Sequence, residues 1–175
     1  MAGGAIRGLS VSRPVGLIMG GAVWVVGIPL AHGVLPWAVS LLTLRHGWVE
    51  DRPGTWNLPG LIPIIVATAC LLWVMVVHFS RISGRVELRL TPKYVLMRGP
   101  YAFTRNPMYV AELMLWFGWS VFFGSAAVFI GFLVAWAAMN FLVVPREERT
   151  LESHFGDGYL RYKDSVPRWM GRAGR

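Results

Sequence analysis

Residues 113–144 read L-M-L-W-F-G-W-S-V-F-F-G-S-A-A-V-F-I-G-F-L-V-A-W-A-A-M-N-F-L-V-V and contain no charged side chain. The run is longer than the roughly 20 residues that one membrane-spanning helix needs, and Gly124-Ser125 near its middle supplies a turn. It therefore predicts a tight hairpin of two spanning helices. Pro107 lies where the first of them would begin, a position at which proline is tolerated.

Two further charge-free runs precede the hairpin. The run from Leu58 to Phe79 predicts a single span. The run from Pro14 to Leu44 is too long for one straight span. Break points within it are offered by Pro29, Gly33 and Pro36. We therefore expect a span over about residues 15–35, followed by an interfacial piece at 36–44. The fold class predicted is an all-α integral membrane protein with four spans, or five if the first run is a broken re-entrant pair.

The composition supports a membrane protein. Apolar residues make up 55% of the 175-residue chain and charged residues 15%, against roughly 25% charged in soluble domains. The formal charge of +8 favours contact with anionic lipid headgroups over nucleic acid, because no soluble basic domain is present to bind a nucleic acid. One cysteine, Cys70, and four histidines without metal-ligand spacing predict neither a disulfide framework nor a metal site.

Lysine and arginine are distributed unevenly between the loops. Residues 80–107 carry six of them against a single acid, whereas residues 45–57 balance two arginines with two acids. The positive-inside rule predicts that residues 80–107 and both termini are cytoplasmic, which an even number of spans satisfies. We accordingly divide the chain into N-terminal membrane spans, residues 1–79, and a functional core, residues 80–175.

The polar residues concentrate in two cytoplasmic segments, a connector at 80–109 and a tail at 145–169. Within the connector, Gly99-Pro100 and Asn106-Pro107 each push the residue before proline out of the helical region, so we expect an ordered loop. Its backbone groups are suited to a nucleotide-like ligand. Composition alone favours the other interpretation, an anchor that places tyrosines and arginines at the headgroups.

Three acids are close to the membrane surface. Glu112 comes one turn into the first hairpin helix, where a carboxylate is costly, so it should face protein or water with a partner such as Arg105 or Arg98. Glu147 and Glu148 come at the hairpin exit and diverge by about 100° on a helix, so one would face a site and the other solvent. The alternative for this pair is a solvated charge cluster.

The tail also contains aromatic residues at helical spacing. Tyr159 and Tyr162, behind Phe155, predict an amphipathic stripe that lies on the membrane. Contact with lipid would explain these aromatics without any role in chemistry.

The two segments together resemble a known family. R-G-P-Y-A-F-T-R-N-P-M-Y at 98–109, a hairpin, and E-E-R-T-L-E-S-H-F-G-D-G-Y-L-R-Y-K-D-S-V-P-R-W at 147–169 resemble the isoprenylcysteine carboxyl methyltransferases and phospholipid methyltransferases. The resemblance covers roughly residues 90–170. It implies a cytosolic S-adenosylmethionine pocket formed by the connector and the C-terminal helix, and a lipophilic or lipid-like acceptor that enters from the bilayer.

The resemblance also implies site residues. Those expected to bind the cofactor are Lys93, Tyr94, Val95, Leu96, Tyr101, Asn106, Pro107, Met108, Tyr109, Glu147 and Glu148. Asn106 replaces the histidine that the family's motif has there. We expect Arg105 and Glu148 to be catalytic and Glu112 and Arg146 to meet the acceptor. Because Arg146 is displaced from the position of the family's substrate-binding arginine, a prenylcysteine acceptor specifically is disfavoured, and the methylated atom is left open between oxygen and nitrogen.

The chemistry of S-adenosylmethionine fits these residues. Its ammonium suits Glu147 or Glu148, its carboxylate suits Arg105, and aromatic faces at Tyr101 or Tyr109 suit its sulfonium. Two alternatives stay open. R-N-P-M-Y-V-A-E at 105–112 also fits membrane sterol reductases, which bind a nicotinamide dinucleotide, and a small membrane subunit without enzymatic activity would bind neither ligand.

Overall fold

The computed structural model describes residues 9–80, 86–88 and 95–170. Five helices in these residues form the fold: α1 (Pro14–Ser40), α2 (Thr55–Ser80), α3 (Pro107–Phe123), α4 (Ala126–Phe155) and α5 (Asp157–Ser165). Helices α1, α2 and α4 are long and apolar enough to cross a membrane, and α3 is a shorter apolar helix of 17 residues. The expected all-α, multi-pass architecture is therefore supported, with three long apolar helices and one shorter one.

Two short antiparallel ribbons, which the sequence did not predict, accompany the helices. Strand β1 (Leu9–Val11) pairs with β4 (Val86–Leu88), and β2 (Trp48–Val49) pairs with β3 (Arg52–Pro53). The first ribbon joins the N-terminal segment to the connector, so these two segments lie at the same end of the molecule.

Helix α1 contradicts the predicted break after residue 35. It runs through Pro29 and Pro36 without interruption and ends at Ser40, so the predicted breaks, and with them the re-entrant pair, are wrong. Wide π-helical turns at Val23–Gly27 and Leu30–Val34 come just before the prolines. In each, the residue before the proline donates its N–H to the carbonyl five residues back. The widened turn makes room for the proline ring, which would otherwise clash with the preceding turn.

The predicted helical hairpin is present, although only its second helix is long enough to count as a candidate span. Helix α3 begins at Pro107, and Gly124 ends it with a left-handed φ of 57°. Ser125 then caps α4, because its Oγ accepts a hydrogen bond from the Val128 N–H at 3.4 Å. A third π-helical turn, Met139–Val143, comes before Pro145 and again keeps the helix continuous. The acid pair Glu147-Glu148 is consequently on the same helix as the span.

Helices α2 and α3 cross with their backbones in close contact. A Cβ atom added at Gly118 would lie 2.9 Å from the Gly60 carbonyl oxygen, and one at Gly60 would lie 2.6 Å from the Gly118 carbonyl oxygen. Small residues permit this approach between apolar helices. Further along the same interface, the buried side chains that form the core are Ala67, Leu71, Ala111 and Leu115, against which Trp24 and Ile28 of α1 pack.

The loop between α1 and α2, together with Asn57 in the first turn of α2, covers the turn of the hairpin. The Asn57 amide donates to the carbonyls of His46 at 3.0 Å and Val121 at 3.2 Å, and Trp48 Nε1 donates to the Phe122 carbonyl at 2.9 Å. This loop therefore closes one end of the helices, and the connector and tail meet at the other end.

Candidate functional site

A cavity of about 270 Å³ lies at the end of the molecule where the connector and the tail meet. The residues that line it are His78, Val95, Leu96, Tyr101, Arg105, Asn106, Pro107, Met108, Tyr109, Glu147, Glu148, Leu151, Tyr159 and Tyr162. The structure thus brings together most of the residues expected to bind the cofactor. Lys93 and Tyr94 lie outside the described residues.

Hydrogen bonds from the connector to backbone carbonyls of the tail join these two segments. The Arg105 N–H donates to the Pro167 carbonyl at 2.9 Å. On either side of it, Thr104 Oγ1 and the Asn106 side-chain amide donate to the Arg168 carbonyl, each at 2.9 Å. The Asn106 amide therefore holds the tail in place, although the residue also borders the cavity.

Glu148 is buried between two arginines. Its side chain receives a two-pronged contact from Arg168, with Nε 3.1 Å from Oε1 and Nη2 2.5 Å from Oε2. Arg105 Nη1 lies 3.2 Å from the same Oε1, without the alignment of a hydrogen bond. The Nε and Nη1 atoms of Arg105 are buried and have no hydrogen-bond partner among the described residues. The hydrogen bonds that Arg168 donates to the Glu148 carboxylate raise the pKa of the Arg168 guanidinium.

Glu147 is exposed but also lines the cavity. Its Oε1 accepts a hydrogen bond from the Tyr109 hydroxyl at 2.7 Å, which joins α4 to the first turn of α3. As expected, one of the paired acids is buried and the other faces solvent, but both border the cavity. Adjacent helical positions do diverge, but the cavity extends from α3, which Glu147 faces, to the connector and tail, which Glu148 faces.

The tyrosines of α5 are not a membrane-lying stripe. Tyr159 is 2% exposed and Tyr162 is 5% exposed, and with Val166 they form a buried cluster. The Tyr162 hydroxyl donates to the Tyr101 carbonyl at 2.7 Å, so the apolar face of α5 packs on protein. Burial, with a smaller contribution from the Glu147 carboxylate, raises the pKa of Tyr101 to about 12. Burial likewise raises the pKa of Tyr159. These phenols are therefore neutral near pH 7.

The two residues expected to meet the acceptor lie outside the cavity lining. Glu112 is buried, as predicted, but its partner is His32 of α1, with Nε2 3.8 Å from Oε1, and neither Arg105 nor Arg98. Arg105 is taken by Glu148, and Arg98 is exposed. Arg146 is also exposed.

Sequence reasoning missed four lining residues: His78, Leu151, Tyr159 and Tyr162. Leu151 is three positions after Glu148 on one helix face, a spacing that was available from the sequence. His78 is in the last turn of α2, where its ring lies 5.8 Å from the Tyr101 ring, a contact that only the folded chain reveals. Within the part of the chain that the structure describes, no group of three or more His, Cys, Asp or Glu residues is placed to hold a metal ion.

Comparison with known proteins gives two relatives. An uncharacterized protein of Haemophilus influenzae is 36% identical over 63 residues, which are 36% of this chain and the whole of that protein. The cobalt-zinc-cadmium resistance protein CzcN of Cupriavidus metallidurans is 31% identical over 138 residues, or 76% of this chain. The chain spans 57% of the length of CzcN.

A family model described as phospholipid methyltransferase matches residues 60–158. The match includes most of α2, most of the cavity lining, the hairpin and the acid pair, and it covers more than half of the chain. The family recognised from residues 98–109 and 147–169 is thereby confirmed: the chain belongs to the phospholipid methyltransferase family.

Proposed function

We propose that this protein transfers the methyl group of S-adenosylmethionine to a lipophilic or lipid-like acceptor at the membrane. The observation that carries the proposal is the cavity, in which a carboxylate, an under-bonded guanidinium and several phenols converge at the end of apolar helices. Residues 80–175 would carry most of the transfer site and residues 1–79 the accompanying spans, with His78 reaching the cavity from the latter.

The donor set suits the amino-acid end of the cofactor. Bound S-adenosylmethionine supplies an electrophilic methyl group on a sulfonium and carries an ammonium and a carboxylate. Arg105, with two buried N–H groups that make no hydrogen bond to the described residues, supports a carboxylate contact. Glu147 is the better candidate for the ammonium, because both oxygens of Glu148 are already engaged by Arg168. We therefore assign Glu148 to orienting Arg105, in place of direct catalysis.

The remaining residues of the cavity lining would bind the cofactor and orient it. Tyr101, Tyr109 and His78 offer aromatic surface, and cations interact favourably with aromatic faces. Methyl transfer needs the acceptor and the methyl carbon in line within a dry site, so positioning contributes most of the catalysis. The buried cluster of Tyr159, Tyr162 and Val166 excludes water from the side of the cavity that faces α5.

The acceptor is assigned by class. The exposed surfaces of α1, α2 and α4 are apolar, which supports a substrate that is already in the bilayer. Glu112 comes one helical turn after Tyr109, which lines the cavity. The Glu112 carboxylate would therefore be close to a polar group of an acceptor that lies next to the cavity. Arg146, exposed on α4 next to Glu147, is the candidate for contact with an anionic lipid group.

The test has a binding step and a turnover step. Calorimetry of the detergent-solubilised protein with S-adenosylmethionine and with its demethylated product should show saturable binding of both. Methyl-labelled cofactor should then transfer label to a component of a lipid extract. Saturable binding of a nicotinamide dinucleotide instead would point to a sterol-reductase-like enzyme, and the absence of any such ligand would favour a subunit without enzymatic activity.

A further inference from the structure

We propose that Arg168 is a positioning residue, which acts through Glu148 to hold the Arg105 guanidinium ready for the carboxylate of the cofactor. The inference rests on the proposed function and goes beyond it. Arg168 lies outside residues 60–158, so the match to the family does not assign it.

The charges around Glu148 do not balance. Two guanidinium groups contact one carboxylate, and the side chains of Glu148 and Arg105 are only 6% and 8% exposed. A buried cation without its own counter-ion is costly. The positive charge at Arg105 that Glu148 does not compensate is therefore suited to an anionic group of the ligand.

The geometry indicates which arginine is left for the ligand. Arg168 engages both oxygens of Glu148 through Nε and Nη2, which is the strong, two-pronged arrangement. Arg105 makes only an off-axis contact with Glu148, through Nη1, and lines the cavity. Arg168 thus occupies the Glu148 carboxylate, which Arg105 would otherwise bind through two of its own N–H groups.

The backbone keeps Arg168 in register with Arg105. Its carbonyl accepts hydrogen bonds from Thr104 and Asn106, the two neighbours of Arg105. The next residue, Trp169, donates from Nε1 to Asn140 Oδ1 at 3.0 Å and so joins the tail to α4. The backbone of Arg168 is therefore held in a fixed position relative to the backbone of Arg105.

Loss of the Arg168 side chain has a specific consequence. Glu148 would then be free to accept two hydrogen bonds from Arg105, and this pairing would turn the guanidinium away from the ligand. The cavity would keep its shape and its Glu147 carboxylate, but it would lose the site for the ligand's carboxylate.

The experiment compares two probes, S-adenosylmethionine and S-adenosylmethionine that lacks its carboxylate, by calorimetry on the full chain. Arg168→Met should weaken binding of the first by about tenfold or more, as expected for a charged hydrogen bond, and leave binding of the second unchanged. Arg168→Lys, which keeps the charge but loses the fork, should show a smaller loss that is again confined to the carboxylate-bearing probe. Arg161→Met removes an exposed arginine of α5 and should change neither affinity.

The outcomes separate this inference from the proposed function. An equal loss for both probes in the Arg168 variants would mean a merely structural role, and no loss would mean no role; either result overturns the inference. If the unmodified protein binds both probes equally, Arg105 does not hold the carboxylate, and the inference fails while the proposed function stands. If the unmodified protein binds neither probe, the proposed function itself fails.

Discussion

Glu147 and Glu148 are neighbours in sequence but have different surroundings. Glu148 is 4% exposed and engaged by two arginines, whereas Glu147 is exposed and accepts one hydrogen bond from a tyrosine. A carboxylate with spare acceptor capacity can bind a ligand, and one already saturated with cations serves better to hold those cations. The two acids are therefore suited to different roles, because their surroundings differ.

Replacement of Glu147 by Gln removes the negative charge while keeping the side-chain shape. We expect S-adenosylmethionine binding to weaken by about 1.5 to 3 kcal/mol, the range for a hydrogen bond to a charged group, with calorimetry as the measurement. Glu152→Gln is the matched control, because Glu152 is on the same helix and pairs with Lys163 away from the cavity. Unchanged affinity in a folded Glu147 variant would remove this residue from the site.

A substitution at Arg105 tests whether methyl transfer needs the planar guanidinium or only a positive charge. Arg105→Lys keeps the positive charge but loses the planar donor pair, so most methyl-transfer activity should disappear. Its contact with Glu148 is one weak part of an ion network, so the melting temperature in detergent should stay close to that of the unmodified protein. Full activity of the lysine variant would reduce Arg105 to a positive-inside anchor.

At the scale of elements, the crossing of α2 and α3 depends on two glycines. A methyl group at Gly118 would contact the Gly60 carbonyl and the Ile64 backbone nitrogen, so Gly118→Ala should lower the free energy of unfolding by about 1 to 3 kcal/mol. Gly33→Ala in α1 is the control, since a Cβ there meets nothing within 4 Å. Thermal unfolding in detergent measures both, and equal stability of the two variants would contradict the close crossing.

Elements marked by local signals were predictable from the sequence. A charge-free run predicted the span at Leu58 to Phe79. Residues with restricted or unusual backbone conformations predicted the start of α3 at Pro107 and the turn at Gly124. The continuity of α1 was not predictable in this way. Residue type alone predicts that a proline clashes with the preceding helical turn. It does not predict the wide π-helical turns that relieve this clash.

Contacts between distant elements limited the prediction of the site. Periodicity shows that α5 has an apolar face, but it does not show whether lipid or protein covers that face, and so Tyr159 and Tyr162 were misplaced. The partner of Glu112 was missed because His32 is on another helix, far away in the chain. By contrast, the motif at residues 98–109 named much of the cavity lining correctly, because those residues are contiguous.

On the scale of the whole molecule, the charge asymmetry predicts that the cavity end is cytoplasmic. Cysteines placed at Arg98 and at Thr55, both exposed, report on opposite ends of the helices when Cys70 is replaced by Ala. We expect a membrane-impermeant thiol reagent to label the Thr55 variant in intact cells and the Arg98 variant only after permeabilisation. The reverse pattern would contradict this orientation.

The short length of α3 makes the site sensitive to hydrophobic mismatch. Its 17 residues measure about 26 Å, less than the roughly 30 Å of a typical hydrocarbon core, whereas α1, α2 and α4 have 27, 26 and 30 residues and exceed that thickness. A helix shorter than the hydrocarbon core favours a thinner bilayer beside it, and the first turn of α3 supplies Pro107, Met108 and Tyr109 to the cavity. Thinning there brings the polar groups of the surrounding lipids toward the cavity mouth, so methyl transfer in reconstituted vesicles should slow as the acyl chains of the host lipid are lengthened.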